Sequence, residues 1–141
     1  MIERTASAQW MGDLKAGSGS LRLGSGTFEG KYSFGTRFES TPGTNPEELI
    51  GAANAACFSM ALASALSNAG HAPTKVQTTA KVSLEKVDGK QTIVGIALST
   101  EGTVPGISAA EFQKHAEATR SGCIVSRALA AVPITLSATL R

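Results

Sequence analysis

The sequence has no Cys-x-x-Cys pair, so a zinc ribbon is excluded. Its two cysteines and two histidines would form a metal site only by accident of fold. No run of lysine or arginine is present. Arg4, Lys15, Arg22, Lys31, Lys75, Lys81 and Lys86 are scattered, no basic stripe is interleaved with aromatics, and the net charge is only +2. A nucleic-acid partner is therefore not expected. Gly17, Gly19, Gly24 and Gly26 fit neither G-x-G-x-x-G nor the P-loop pattern, and Ser59 and Ser64 have no nearby histidine, so nucleotide and serine-hydrolase chemistry are set aside. Met1 to Ala6 has no basic segment leading into an apolar one. No signal peptide is expected, and the chain reads as cytoplasmic.

Only 5% of the residues are aromatic, while 42% are hydrophobic and 17% charged. That balance belongs to a folded globular chain, and 141 residues suit one domain, 1–141. With few large rings, its core must rely on close backbone approach through Ala and Gly. Leu49 to Thr74 contains no charged residue, a length that invites a membrane-spanning reading. Asn54, Ser59, Ser64, Ser67 and Asn68 interrupt it, and no basic anchor flanks it closely. A buried central helix is expected, and no membrane partner.

The pattern along the chain is α+β. Thr5 to Met11, Ser20 to Leu23 and Lys31 to Glu39 read as three strands of an antiparallel meander. Asn45 is a good N-cap, Pro46 suits the first helical position, and Glu47 and Glu48 sit where the helix dipole favours anions. That helix should run to about Asn68 or Ala69, with Gly70 beyond its end. A lone chain of this size would struggle to surround it, a first hint of a dimer. Thr74 to Lys86 and Gln91 to Thr100 form a ribbon about the Asp88-Gly89 turn. Ser108-Ala-Ala-Glu111 is a capping box for a second helix to about Arg120, broken at Ser121-Gly122. Cys123 opens another short helix, and Ile134 to Leu140 is a final strand.

Four residues are candidates for chemistry, and each has a plainer explanation. Cys57 lies mid-helix in Ala55-Ala56-Cys57-Phe58, where a free cysteine is commonly a small buried hydrophobe. Cys123 stands at a helix start, where backbone N–H groups favour a thiolate. Arg37, placed on the third strand beside Phe34 and Phe38, is either a solvated guanidinium or a cation for a thiolate and a peroxide. Glu47 stabilises a helix start in any case. Glu47 and Cys57 stand roughly three turns apart, about 15 Å along a straight helix. To share a site they need a sharp bend or a second subunit related by a two-fold axis.

The run Thr44-Asn-Pro-Glu-Glu-Leu-Ile-Gly-Ala-Ala-Asn-Ala-Ala-Cys57-Phe-Ser-Met-Ala-Leu resembles the signature of the OsmC/Ohr family, the osmotically inducible and organic-hydroperoxide-resistance proteins. The first strand around Trp10, Tyr32-Ser-Phe-Gly-Thr-Arg37-Phe-Glu and Ser121-Gly-Cys123 extend the likeness over essentially the whole chain, closer to the OsmC branch. The resemblance implies an intertwined homodimer of α+β subunits, with antiparallel sheets around long central helices. It implies a peroxidase that reduces organic hydroperoxides in stress defence, with Cys57 peroxidatic and Cys123 resolving, and with Arg37 and Glu47 completing the site across the dimer interface. It further implies an external dithiol reductant, lipoyl-type or similar, and no bound cofactor. Ile124 is a departure, since relatives commonly carry proline after the resolving cysteine. The rival reading is a non-enzymatic dimeric binding or redox-sensing module.

Overall fold

Trp10, Gly19 and Tyr32 stand in register across three neighbouring strands, β1 (Ala6–Met11), β2 (Ser18–Leu23) and β3 (Glu29–Tyr32). The two rings meet with centroids 5.4 Å apart, and a side chain on Gly19 would strike the Tyr32 ring. The three strands form the expected antiparallel meander. The computed structural model describes residues 1–141 and separates into two compact units, Met1–Leu49 and Ile50–Arg141.

In the first unit the expected third strand is only half right. Lys31 and Tyr32 are strand, but Phe34–Phe38 is a short helix, α1, so Arg37 is helical. Ser33 explains the switch. Its hydroxyl accepts from the Thr36 N–H while the Thr36 side chain answers the Ser33 N–H, a capping box without glutamate. Phe34 and Phe38, one helical turn apart, then pack at 5.2 Å. Asn45 caps the next helix, α2 (Pro46–Asn68), by accepting from the Glu48 N–H at 2.8 Å. Its amide also donates to the Thr36 carbonyl at 3.1 Å, tying α1 to the start of α2. Asn45→Ala removes both bonds and is expected to cost about 1–2 kcal/mol, measured as a lower urea midpoint with an unchanged slope.

In the second unit, α2 buries one stripe. Gly51, Asn54, Phe58, Leu62 and Leu66 recur at helical spacing and are buried. Phe58, Leu62 and Leu66 pack with Ile96, Leu98, Phe112 and Ala116 in the core. The expectation of a helix buried on most sides does not hold within one chain. Ala52, Ala53, Ala56 and Met60 are exposed. The helix is long and apolar enough to cross a bilayer, and only 28% of its most apolar stretch is buried.

The remaining elements are β4 (Lys75–Val87), β5 (Lys90–Thr103), α3 (Ala109–Gly122), α4 (Ile124–Ala128) and β6 (Ile134–Leu140). Asp88 and Gly89 both have positive φ, as the tight turn between β4 and β5 requires. The register shifts at Ser83/Leu84. β6 joins β5 in parallel, so the second sheet is mixed where antiparallel sheets are expected. The break after α3 falls at Cys123 itself, not at Ser121-Gly122, which stay helical.

Arg141 closes β6 onto β5, its guanidinium 2.7 Å from Glu101 Oε1. The hydrogen bond and then the charge of Arg141 hold the Glu101 carboxyl below its ordinary value. A lowered carboxyl favours the folded state above its ordinary value and loses that contribution as pH falls through the folded one. The pair is fully exposed, so salt screens it. The stability difference between wild type and Arg141→Ala is therefore expected to be small, to vanish on acidification below the carboxylate range, and to shrink in high salt, as followed by thermal melts.

Candidate active site

Cys123 ends α3 and caps α4 at once. Its N–H donates to the Thr119 carbonyl at 3.1 Å, and its sulfur accepts from the Ser126 N–H at 3.4 Å, standing where a Ser or Thr oxygen usually caps a helix. The neighbouring N–H of that first turn, from Val125, points at Cys57 Sγ at 3.5 Å. Two successive backbone donors thus address the two sulfurs, and both cysteines are free thiols. Cys57 is half-buried, whereas Cys123 is 3% exposed. The plain reading of Cys57 as a sealed core residue does not hold.

Two residues that sequence reasoning did not single out surround Cys123. Asn54 donates to Ser126 Oγ at 3.0 Å and lies 3.8 Å from Cys123 Sγ. The Cys123 thiol donates to Ser126 Oγ at 3.0 Å. The signal for Asn54 was available: an amide on the buried stripe of an apolar helix must find partners there. Ser126 had no comparable signal. A shallow cleft of about 260 Å³ between small residues of α2 and α3, among them Ala61, Ala65, Ala118 and Gly122, reaches Cys123 with His115 in its wall.

Arg37 and Glu47 form their own constellation in the first unit. Arg37 Nη2 donates to Glu47 Oε1 at 2.8 Å, and Nε donates to Oε1 and Oε2 at 3.1 and 3.3 Å. The guanidinium lies 5.2 Å from the Phe38 ring centroid. The carboxylate side chain is 11% exposed and the guanidinium side chain 40%, so the anion is buried as a fixed support while the cation keeps a free face. That face lines a cavity of about 230 Å³ with Trp10, Leu14, Tyr32, Phe34 and Phe38, in a chain poor in aromatics. The structure therefore joins Cys57 to the Cys123 turn and Arg37 to Glu47, and these two pairs belong to different compact units. No cluster of three or more His, Cys, Asp or Glu side chains suitable for a metal ion is present.

Two free thiols gathered at one helix start in an α+β chain mark a thiol redox protein. The chain belongs to the OsmC family: the family described as OsmC-like protein matches residues 38–137. Peroxiredoxin OsmC of Escherichia coli (strain K12) is 50% identical over 131 residues, covering 92% of each chain, and peroxiredoxin OsmC of Shigella flexneri matches equally. Among solved structures, the organic hydroperoxide resistance protein OhrB of Bacillus subtilis superposes with a TM-score of 0.72 at 23% identity, covering 97% of this chain and 98% of that one. An OsmC-like protein of unknown function from Vibrio cholerae reaches 0.79 at 15% identity, covering 98% and 99%. These likenesses establish the α+β OsmC/Ohr fold.

Proposed function

We propose that this chain, acting as one domain, is a two-cysteine peroxidase that reduces organic hydroperoxides to alcohols. The kinship with proteins named peroxiredoxin supports a peroxidase-type redox role. The observation that carries the finer reading is the pairing of a half-buried Cys57 with a buried Cys123 on successive N–H groups of one turn.

In the first step the Cys57 thiolate, the nucleophilic form, attacks the terminal peroxide oxygen. The O–O bond breaks, an S–O bond forms, and the alkoxide leaves and takes a proton to become the alcohol. Cys57 is now a sulfenic acid. Arg37, held by Glu47, supplies the positive charge that favours the thiolate and steadies the leaving oxygen. The pair is contributed by a second copy of the chain. The exposed Ala52, Ala53, Ala56 and Met60 of α2 support a homodimer, because a solitary protein rarely leaves such a face in water. The aromatic cavity beside Arg37 suits an alkyl or fatty-acyl hydroperoxide better than hydrogen peroxide. No metal or cofactor takes part.

In the second step Cys123 sulfur displaces hydroxide from the Cys57 sulfenic acid, and the thiol proton leaves with it as water. An external dithiol, lipoyl-type in chemistry, then reduces the disulfide by exchange and is itself oxidised to a disulfide. The cleft at Cys123 gives it an approach. The reaction is cytoplasmic and serves defence against oxidative and osmotic stress.

The test is a steady-state assay with dihydrolipoamide that compares cumene hydroperoxide with hydrogen peroxide. Faster turnover of the organic peroxide is expected; no turnover of either, or a preference for hydrogen peroxide, would overturn the reading. The Cys123→Ser variant is expected to consume about one equivalent of peroxide per chain and then stop recycling through the intramolecular disulfide. Normal cycling of that variant with the same dithiol would remove Cys123 from the resolving role.

A further inference from the structure

Asn54 is 0% exposed, and its carbonyl oxygen Oδ1 has no hydrogen-bond partner. A buried acceptor that no protein group matches is uncommon, and its lone pairs are open to a further donor. The amide end of the same side chain is occupied. It donates to Ser126 Oγ at 3.0 Å and approaches Cys123 Sγ at 3.8 Å, so the side chain is anchored on the first turn of α4. Cys57 lies three residues further along α2, at the spacing that places two side chains side by side on a helix. Its sulfur meets the same α4 turn through the Val125 N–H. The unmatched oxygen thus belongs to a side chain that neighbours Cys57 along α2 and approaches Cys123.

The reduced Cys57 already accepts from a backbone donor at its sulfur. Oxidation adds a hydroxyl to that sulfur and with it a new O–H donor. We infer that Asn54 is a positioning residue for the second half-reaction: its Oδ1 accepts from the hydroxyl of the Cys57 sulfenic acid while its amide, through Ser126, holds the Cys123 sulfur for attack. The inference rests on the peroxidase reading of Cys57 and Cys123. Its chemistry is the displacement already written. The S–O bond of the sulfenic acid breaks, the S–S bond forms, and hydroxide leaves with the Cys123 proton as water. Fixing the hydroxyl turns the S–O bond away from the incoming sulfur, which is the alignment a displacement at sulfur needs.

The experiment separates oxidation from resolution. Reduced wild type, Asn54→Leu, Asn54→Ala and Ser126→Ala are each mixed with one equivalent of cumene hydroperoxide and quenched over time. Dimedone adducts count the Cys57 sulfenic acid, and mass spectrometry counts the disulfide. Asn54→Leu is expected to oxidise Cys57 within about threefold of wild type but to form the disulfide about tenfold or more slowly, the scale of one lost orienting hydrogen bond. Its sulfenic acid accumulates and, with excess peroxide, proceeds to sulfinic acid. Ser126→Ala is expected to slow the disulfide by less, because it removes the anchor and leaves the acceptor. Asn54→Ala serves as the test variant if the leucine does not fold, as judged by circular dichroism. Wild-type disulfide formation in a folded Asn54 variant would overturn the inference, as would equal slowing of both steps. The absence of both sulfenic acid and disulfide in the wild type would overturn the peroxidase reading as well, so the two failures are told apart.

Discussion

Replacement of Cys57 by serine is expected to abolish turnover of cumene hydroperoxide, a loss of about 10³-fold or more, the order found when a nucleophile that works in concert with its neighbours is removed. The substitution changes one atom. Serine fits the half-buried site on α2, and its oxygen can still accept from the Val125 N–H that addresses Cys57 Sγ at 3.5 Å, so the fold should be unaffected. What is lost is nucleophilicity, because an unactivated hydroxyl is a weak nucleophile at neutral pH and no histidine base stands near it among its bonded partners. Cys123 cannot take over the first step. It is 3% exposed, and its sulfur is engaged with the Ser126 N–H and the Ser126 hydroxyl. The variants therefore differ in kind: Cys57→Ser consumes no peroxide, while Cys123→Ser makes one oxidation event. A stoichiometric titration with mass detection distinguishes zero from one. A Cys57→Ser protein that turns over like wild type would move the chemistry to another group altogether.

Those features with local causes were legible in the sequence. Asn45-Pro46-Glu47 announced the start of α2, and Asp88-Gly89 announced the turn from β4 to β5, because a cap and a left-handed turn each depend on adjacent residues. The Arg37 segment is helical against its alternating pattern for a definite reason. Tyr32, Phe34 and Phe38 fit an alternating strand, but Phe34 and Phe38 also sit at helical spacing, and the Ser33–Thr36 box decides for helix. The parallel entry of β6 beside β5 was hidden, since its own alternation is the same for either direction. Cys57, Cys123, Arg37 and Glu47 stood out as candidates by residue type and placement, and the roles expected of them came from the family resemblance. That Arg37 pairs with Glu47 and Cys57 approaches the Cys123 turn depends on tertiary placement. Asn54 was in plain view as an interruption of the apolar run. Its position four residues before Phe58 on the buried stripe marks it as a polar group in need of partners.

Arg37→Met is expected to slow oxidation of Cys57 by about 10²–10³-fold, the effect of removing a donor aimed at developing negative charge. In the proposed reaction Arg37 has two tasks: to favour the thiolate by charge, and to donate to the departing oxygen. Glu47 takes the Nε and Nη2 edge, at 3.1 and 2.8 Å, and Arg37 also lines the aromatic cavity. Lysine in its place keeps a charge but offers no fork to hold Glu47 and the substrate together, so Arg37→Lys should recover only part of the rate. A structural role alone would give a different pattern. In Arg37→Met the Glu47 carboxylate, 11% exposed, is left without its partner, and the protein should lose about 1–2 kcal/mol. Adding Glu47→Gln removes that stranded charge. The double variant should therefore regain much of the stability, read from urea unfolding, while its single-turnover oxidation of Cys57 stays as slow as in Arg37→Met. Recovery of the rate along with the stability would assign Arg37 to the fold and take it out of the chemistry.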